Sequence, residues 1–354
     1  MHGDYLDRDR WYESKGNNLA QNVTAFVAYL DKQQSYRSSD NLRHARLYSN
    51  YEILGLDAYS YTRVETSYNI THRVTMNIVQ NMIDTVHSKI TKNKPRPTFL
   101  TEGGNWTLQQ KAKKLTKFVD GIFDSCNYYE KAAKAFLDAC IFGTGAIKIF
   151  EVNGEIKCER VFIEEIKVDD TESYYASPRQ MHQVKYIHKD VLIKMFPGKA
   201  KEIEMSDYTQ DQYPNSNSWL QKKQMIRVVE SWRLPSAKDA KDGVHSIVIN
   251  DLTLHKEEYH KQYFPFIFFR WTERPVGFFG QGLAEQLSGL QLEINKILRT
   301  IQVSMHLVSV PKLLVEASSK IVTAHLNNKI GGIIRYAGTP PQYAPLGGIP
   351  SDLF

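Results

Sequence analysis

The sequence predicts an α+β protein, in which long helices flank a region of short strands. Three observations support this expectation. Apolar residues recur at helical spacing over residues 74–141 and again over 283–305. They alternate with polar residues over much of 146–271, as expected for strands. The chain has 354 residues, of which 42% are hydrophobic, and this is enough for two or three packed units.

The first quarter of the chain predicts a polar arm followed by helices. Residues 1–39 are rich in Asp, Arg, Asn and Gln, and we expect either a mobile N-terminal arm or one that orders only on a neighbour, with a short helix near Ala20–Leu30. A helix should then run from Ser39 to about Gly55, because Ser and Asp cap helix starts and glycine favours helix ends. The first long helix carries an apolar residue every four positions from Val74 to Ile90 and ends before Pro95.

A second long helix is predicted from Trp106 to Ile141. It follows a loop rich in proline and glycine, KPRPTFLTEGGN. Its apolar stripe includes Leu115 and Phe118. Four lysines lie mostly away from that stripe, and a solvated face is the favoured interpretation of this group, which comprises Lys111, Lys113, Lys114 and Lys117.

The middle of the chain predicts short strands. Asn153-Gly154 favours a two-residue type I′ turn, so Ala146–Val152 and Glu155–Val161 should form a hairpin. Further strands are expected at Ile163–Val168, Gln183–Ile187, Met225–Leu234, Val244–Asn250 and Phe266–Trp271. A short helix is expected at Lys189–Phe196, and residues 199–224 lack periodicity, which indicates a long surface excursion.

A third helix begins after Gly280-Gln281-Gly282. Its apolar residues recur in steps of four and three and comprise Leu283, Leu287, Leu290, Ile294, Ile297, Ile301 and Met305. This repeat continues over about 25 residues, or roughly 37 Å, and is typical of a helix that packs along neighbouring helices. Pro311 ends it, and a short patch of α/β character with a Gly/Pro-rich loop follows.

The motifs of common enzyme classes are missing from the sequence. Glu285 occupies the third glycine position of the dinucleotide fingerprint that Gly280 and Gly282 begin, and there is no P-loop or nucleophile elbow. The pairs His182/His188 and His255/His260 match no zinc signature, so we expect no metal, no cofactor and no catalytic residues. The three cysteines form no C-x-x-C motif, which favours free thiols.

An acidic cluster leaves one enzymatic alternative open. Its members are Glu164, Glu165, Asp169, Asp170 and Glu172. Such carboxylates could hold two divalent ions for phosphodiester cleavage, as in a Mg²⁺-dependent nuclease. A solvated loop is the favoured interpretation.

Charge and hydropathy limit the partners. The net charge is +6 and is spread along the chain, so contact with nucleic acid is allowed, while the Lys/Arg block of a tight binder is missing. The sequence predicts no membrane partner, because no stretch approaches the ~20 apolar residues of a membrane span. The 20 Tyr, 16 Phe and 5 Trp residues provide rigid anchors for protein interfaces.

Several segments occur in an order that we recognise. They are IVQNMIDTVHSKITKNKPRPTF, DACIFGTGAIKIF, VFIEEIKVDD, SPRQMHQVKYIHKDVLIKMFPG, HSIVINDLTL and the aromatic-Pro strand that leads through G-x-G-L into QLEINKILRTI. From about Val74 to Arg335, this ordered set resembles the portal proteins, or head–tail connectors, of tailed bacteriophages.

The resemblance implies a homo-oligomeric ring, usually a dodecamer, at one capsid vertex of the virion, assembled in the host cytoplasm. Double-stranded DNA passes through its channel non-specifically during packaging and ejection. The terminase large subunit, head–tail adaptors, and capsid and scaffold proteins are the implied partners, and portals are not ATPases. A non-portal capsid-associated protein with a long interaction helix remains a further alternative.

The resemblance also divides the chain. It implies a wing-like α+β domain at 40–280, a first stem helix at 281–308 and a clip-like region at 309–345. Residues 346–354 would begin the connection to a second stem helix, so we expect a portal-like chain that is truncated at its C-terminus.

Under this interpretation, the stem helix provides the candidate site. Its subunit interface would comprise Leu287, Leu290, Ile294, Ile297 and Ile301. Lys296 and Arg299 lie off that stripe, and they would face either the DNA channel or a carboxylate of the next subunit.

Overall fold

Helices precede and follow a region of antiparallel strands, which confirms the α+β class. The computed structural model describes residues 10–50, 76–205 and 225–309, apart from 15 and 176, together with the pairs 313–314 and 342–343. The helices are α1 (Asn17–Gln33), α2 (Ser35–Tyr48), α3 (Ile78–Thr91), α4 (Trp106–Ser125), α5 (Tyr128–Phe142), α6 (Lys189–Met195), α7 (Ala200–Met205) and α8 (Leu283–Ser309). Short 3-10 turns lie at Trp11–Glu13, Ile163–Glu165 and Pro197–Lys199.

Within the described residues, the strands form two sheets and one isolated pair. They are β1 (Thr144–Val152), β2 (Glu155–Val161), β3 (Ile166–Lys167), β4 (Gln180–His188), β5 (Met225–Arg233), β6 (Val244–Ile249), β7 (Leu252–Glu258), β8 (Phe266–Arg270), β9 (Leu313–Leu314) and β10 (Gln342–Tyr343). One sheet has the order β2-β1-β8, the other β3-β4-β5-β6-β7, and β9 pairs with β10. All of these pairings are antiparallel.

The predicted hairpin is confirmed. Val152 pairs with Glu155, and Asn153 and Gly154 both have positive φ, at 52° and 80°. Strand β7 was not predicted, and only Ile166 and Lys167 form a strand within the predicted segment 163–168. A 3-10 turn takes up the first three residues of that segment instead.

The N-terminal segment differs from the expected mobile arm. Trp11 and helix α1 bury their apolar side chains against Val184, Val229 and Val248 of the five-stranded sheet. Asp31 of α1 also forms ion pairs with Lys167 and Arg227 of that sheet, at 3.0 and 2.6 Å. The arm interpretation is therefore wrong for residues 17–33, because the apolar face of α1 is covered by the same chain.

The second long helix is two helices. Asn127 has φ of 50°, in the left-handed region that ends a helix, and it separates α4 from α5. Asn105 begins α4 by accepting a hydrogen bond from the Leu108 backbone N–H at 3.1 Å. Helix α5 has buried residues, whereas α4 has none.

Helix α3 buries fewer apolar residues than the four-residue spacing of its apolar side chains predicted. Asn77 caps its first turn through the Gln80 backbone N–H, at 3.0 Å. The residues that are buried are Val79 and Ile83, while Met82 and Ile90 are each 50% exposed. Val74 lies outside the described residues.

Aromatic residues fill the core around the two sheets. The largest side chains of this cluster are Trp232, Tyr259, Phe266 and Phe278, which lie with Met181 and short aliphatic residues of both sheets. Separate clusters lie under α6 and α7 and between α3, α5 and the start of α8. The three cysteines are buried free thiols.

The chain divides into two compact units. The first comprises Met1–Ser67 and Asn77–Ser288, and the second comprises Tyr68–Met76 and Gly289–Phe354. The start of α8 therefore belongs to the first unit and the rest of the helix to the second. Of the predicted clip-like region 309–345, the structure describes Ser309 at the end of α8 and the strand pair β9–β10.

Candidate functional site

The start of α8 is fixed by four glycines that allow backbone segments to touch. A Cβ on Gly143 would lie 2.3 Å from the Gly280 carbonyl oxygen, and one on Gly282 would lie 2.7 Å from that of Ile141. A Cβ on Gly145 would lie 1.8 Å from the carbonyl oxygen of Ala135. The glycines of the G-x-G turns at 143–145 and 280–282 therefore allow close backbone packing. This role agrees with the sequence, which lacks the complete phosphate-binding fingerprint.

The first turns of α8 are anchored within their own unit. Ala284 is fully buried with Val79, Ile83 and Ile141, and Leu287 packs against this cluster. Leu287 was predicted to contact a neighbouring subunit. Leu287 is partly buried against residues of α3 and α5 in its own chain, and its contact with a neighbouring subunit stays a prediction.

Further along α8, the apolar stripe lies at the surface of the chain. Leu290 is 54% exposed, Ile297 is 50% exposed and Met305 is 52% exposed. Ile294 and Ile301 are half-buried. An aliphatic stripe that stays open to solvent along a helix indicates a surface suited to another protein element.

The two predicted basic residues lie off this stripe. Lys296 is exposed and pairs with Glu293 one turn earlier, with 2.6 Å between Nζ and Oε1. Arg299 is exposed as well. Both cations stand on the solvent side of α8, and the charge of Lys296 is partly balanced on its own helix.

Two polar side chains of α8 have a role that sequence reasoning missed. Gln291 is buried, and its Nε2 donates to the Met76 carbonyl oxygen at 2.6 Å and to Asn295 Oδ1 at 3.0 Å. The Met76 backbone N–H in turn donates to Asn295 Oδ1, at 3.4 Å. The sequence offers one signal for this role, because Gln291 and Asn295 are four residues apart and therefore share a face of the helix.

The acidic cluster is not the solvated loop that we expected. Glu164 accepts hydrogen bonds from Ser38, at 2.6 Å, and from Asn41, and it lies 3.8 Å from a nitrogen of Arg37. Burial raises the pKa of Glu164, but Arg37, Lys167 and these hydrogen bonds outweigh burial, so that its pKa lies below the usual range.

Three of the other carboxylates of this cluster, Glu165, Asp169 and Glu172, have their own protein partners. Glu165 accepts from Gln183 at 2.8 Å, and Glu172 lies 3.9 Å from Arg233. Asp169 caps a turn by accepting from the backbone N–H groups of Thr171 and Glu172, at 2.6 and 3.2 Å. These contacts hold the 163–173 segment against its surroundings, so the geometry favours a structural role over a two-metal nuclease site.

A metal-compatible group lies elsewhere, on strands β6 and β7. His245, His255 and Glu257 each offer one ligand atom, and these atoms lie within 4.8 Å of one another. The sequence prediction paired His255 with His260 and missed this group, because the group depends on strand β7 and its register with β6.

Helix α4 carries the second exposed apolar surface. Trp106 is 73% exposed and Phe118 is 61% exposed, with Leu108 and Leu115 also exposed. The four lysines of α4 are exposed, as expected. Among the described residues, no helix is long and apolar enough to cross a membrane.

Comparison with known proteins identifies the family. The family model for phage P22-like portal proteins matches residues 68–267, which is more than half of the chain. A search of the curated proteins finds no match. The matched segment contains α3 to α7, strands β1 to β7 and the start of β8, and it ends before α8. This chain therefore belongs to the family of phage P22-like portal proteins.

Proposed function

We propose that this protein forms the portal ring at one vertex of a phage capsid, through which DNA enters during packaging and leaves during ejection. The observation that carries the proposal is the family match over residues 68–267. Portal proteins are structural, and the protein partners of the acidic cluster agree with a role that needs no catalytic residues.

Two exposed apolar surfaces support assembly into a ring. They are the face of α4 that contains Leu115 and Phe118, and the stripe of α8 that contains Leu290 and Ile297. Surfaces of this kind mark protein interfaces, and a cyclic ring needs two different surfaces that meet head to tail. A dodecamer is the expected size, since that is usual for portals.

The finer roles follow from this arrangement. Helix α8 would be the first stem helix and would pack Leu290, Ile294, Ile297 and Ile301 against the next subunit. Lys296 and Arg299 would face the channel or a carboxylate of the neighbour. Residues 309–345 would form the clip that meets the terminase large subunit and later the head–tail adaptors, while the wing would contact capsid and scaffold proteins.

Electron microscopy of the full-length gene product tests the proposal. Negative-stain images should show rings of cyclic symmetry with a central channel, and the mass per ring should be a multiple of the protomer mass close to twelve. Images that contain only monomers or two-fold dimers would contradict the ring.

A further inference from the structure

We propose that His245, His255 and Glu257 form a binding site for a divalent transition-metal ion, with Zn²⁺ as the best fit, on the outermost hairpin of the five-stranded sheet. This site goes beyond the portal function, and no part of the argument depends on the ring.

The strand register places the three side chains on one face of the hairpin. His245 of β6 lies directly opposite Glu257 of β7, and His255 precedes Glu257 by two residues on the same strand. Residues two apart on a strand point to the same side of a sheet. His245 Nδ1 lies 2.7 Å from Glu257 Oε1, and His255 Nε2 lies 3.3 Å from Glu257 Oε2.

These separations suit a shared cation. Ligand atoms bound to one tetrahedral Zn²⁺ ion at about 2.0–2.2 Å lie roughly 3.3–3.5 Å apart. The three ligand atoms already fall within 4.8 Å of one another. Side-chain rotation on exposed residues is enough to close that difference, because His255 and Glu257 are 43% and 52% exposed.

A partly buried carboxylate orients the least exposed ligand. His245 Nε2 lies 3.0 Å from Glu230 Oε1, and Glu230 is held in turn by Lys148. If the imidazole donates its Nε2–H to Glu230, an ion that displaces the proton between Nδ1 and Glu257 would be bound by the lone pair of Nδ1. Carboxylate–histidine–metal arrangements of this kind fix both the tautomer and the ring orientation.

Ring stacking adds to this preorganisation. The His245 ring lies parallel to that of Trp232, with 5.3 Å between centroids and 14° between planes. The His255 ring meets His245 edge to face at 6.0 Å. One ligand is therefore rigid and the other two are accessible, so an ion can enter from solvent.

The donor set selects the class of metal. Two imidazole nitrogens and one carboxylate oxygen suit Zn²⁺ and its neighbours Co²⁺, Ni²⁺ and Cu²⁺, rather than Mg²⁺ or Ca²⁺, which prefer oxygen ligands. Three protein ligands leave a fourth position for water or another donor. A bound ion would fasten β7, which ends the sheet order, to β6.

Metal titration of the full chain tests this site. Isothermal titration with ZnCl₂ should show saturable binding of one ion per chain, and Co²⁺ should produce the visible absorption of tetrahedral coordination. His255→Ala and Glu257→Gln should each weaken the affinity by at least about tenfold and remove the Co²⁺ absorption. Both side chains are exposed, so the substitutions should leave the fold intact, and the folded state of each variant is checked by circular dichroism.

The matched control is His260→Ala, since His260 is an exposed histidine three residues beyond Glu257 that does not belong to the group. This variant should bind Zn²⁺ within about twofold of the unchanged chain. The site is refuted if Zn²⁺ does not saturate at one ion per chain, because the three residues are then an ion-pair cluster only. The site is also refuted if the His255→Ala and Glu257→Gln variants bind Zn²⁺ with the same affinity as the His260→Ala variant.

Discussion

At the scale of single residues, His182 shows how burial determines a chemical property. Its side chain is fully buried on β4, between the rings of Trp11 and Phe26. Nδ1 lies 2.7 Å from the Ser231 hydroxyl. Burial lowers the pKa of His182 to about 3, because the charged imidazolium would lose its hydration. Lys167 lies opposite on β3, but it pairs with Asp31 of α1.

This pKa makes the fold sensitive to acid. In the unfolded chain His182 binds a proton near its ordinary pKa of 6.5, whereas the folded chain binds it only near 3. The contribution of His182 to the free energy of unfolding should therefore be constant above about pH 6.5, and it should lower the stability increasingly as the pH falls toward 3. The contribution of this one residue is about 2 kcal/mol at pH 5.

Urea unfolding of His182→Gln measures this contribution. The variant should lose about 1–2 kcal/mol at pH 7, because the Ser231 contact is altered, and its stability should fall less between pH 7 and pH 5. His188→Gln, at the exposed end of the same strand, is the control and should keep the pH dependence of the unchanged chain. Equal pH dependence in the His182→Gln variant would contradict this assignment.

At the scale of elements, the α5–β1 turn and the start of α8 depend on close backbone contact. Gly143 has φ of 87° and touches Gly280, while Gly145 touches Ala135. The Gly280 N–H donates to Thr144 Oγ1 at 2.8 Å, and the Trp271 N–H donates to the Gly143 carbonyl at 3.1 Å. The contacts of Gly143 and Thr144 with Trp271 and Gly280 join two segments that are roughly 130 residues apart in the sequence.

Alanine substitutions distinguish a glycine that is needed for close backbone contact from a glycine that only lowers helix propensity. Gly145→Ala should lower the free energy of unfolding by about 3 kcal/mol or more, because its Cβ would collide with a backbone oxygen that cannot move away. Gly121→Ala on the exposed face of α4 meets no atom within 4 Å and should raise that free energy by about 0.5–1 kcal/mol. Chemical denaturation checks both values, and a similar effect of the two substitutions would disprove the packing argument.

At the scale of the whole molecule, the open stripe of α8 should matter for assembly more than for folding. Ile297 is 50% exposed in the single chain, so Ile297→Asp should cost the protomer less than about 1 kcal/mol. In a ring, the same change would bury a charge without a partner, at a cost of several kcal/mol. The variant should therefore stay folded and fail to form a closed ring.

Circular dichroism and sedimentation velocity together measure this difference in the full-length gene product. Thr300→Asp is the matched control, since it adds the same charge at an exposed position next to the stripe. It should sediment close to the unchanged ring. Closed rings formed by Ile297→Asp would show that this part of α8 is not a subunit contact.

Most local elements, and the family, can be predicted from the amino-acid sequence without a structure. Helix α8, the Asn153-Gly154 hairpin and most strands follow from periodicity and turn chemistry, which act within a few residues of the chain. The ordered motifs gave the portal resemblance, which the family match confirms. Periodicity, turn residues and motif order can be recognised in a single sequence because they do not depend on contacts between distant residues.

Tertiary structure alone decided which surfaces are covered and which side chains meet. The α1 segment looked like an arm, because the strands that bury it lie more than 150 residues away. Glu164 was predicted to be solvated, because its hydrogen-bond donors Ser38 and Asn41 lie far from it in the sequence. His245 lies opposite Glu257 because of the register between β6 and β7. Periodicity shows whether a face of a helix or strand is apolar or polar, but not which other segment packs against that face. The packing partner depends on contacts between residues that are distant in the sequence, and these contacts offset the loss of chain entropy only when the whole core forms.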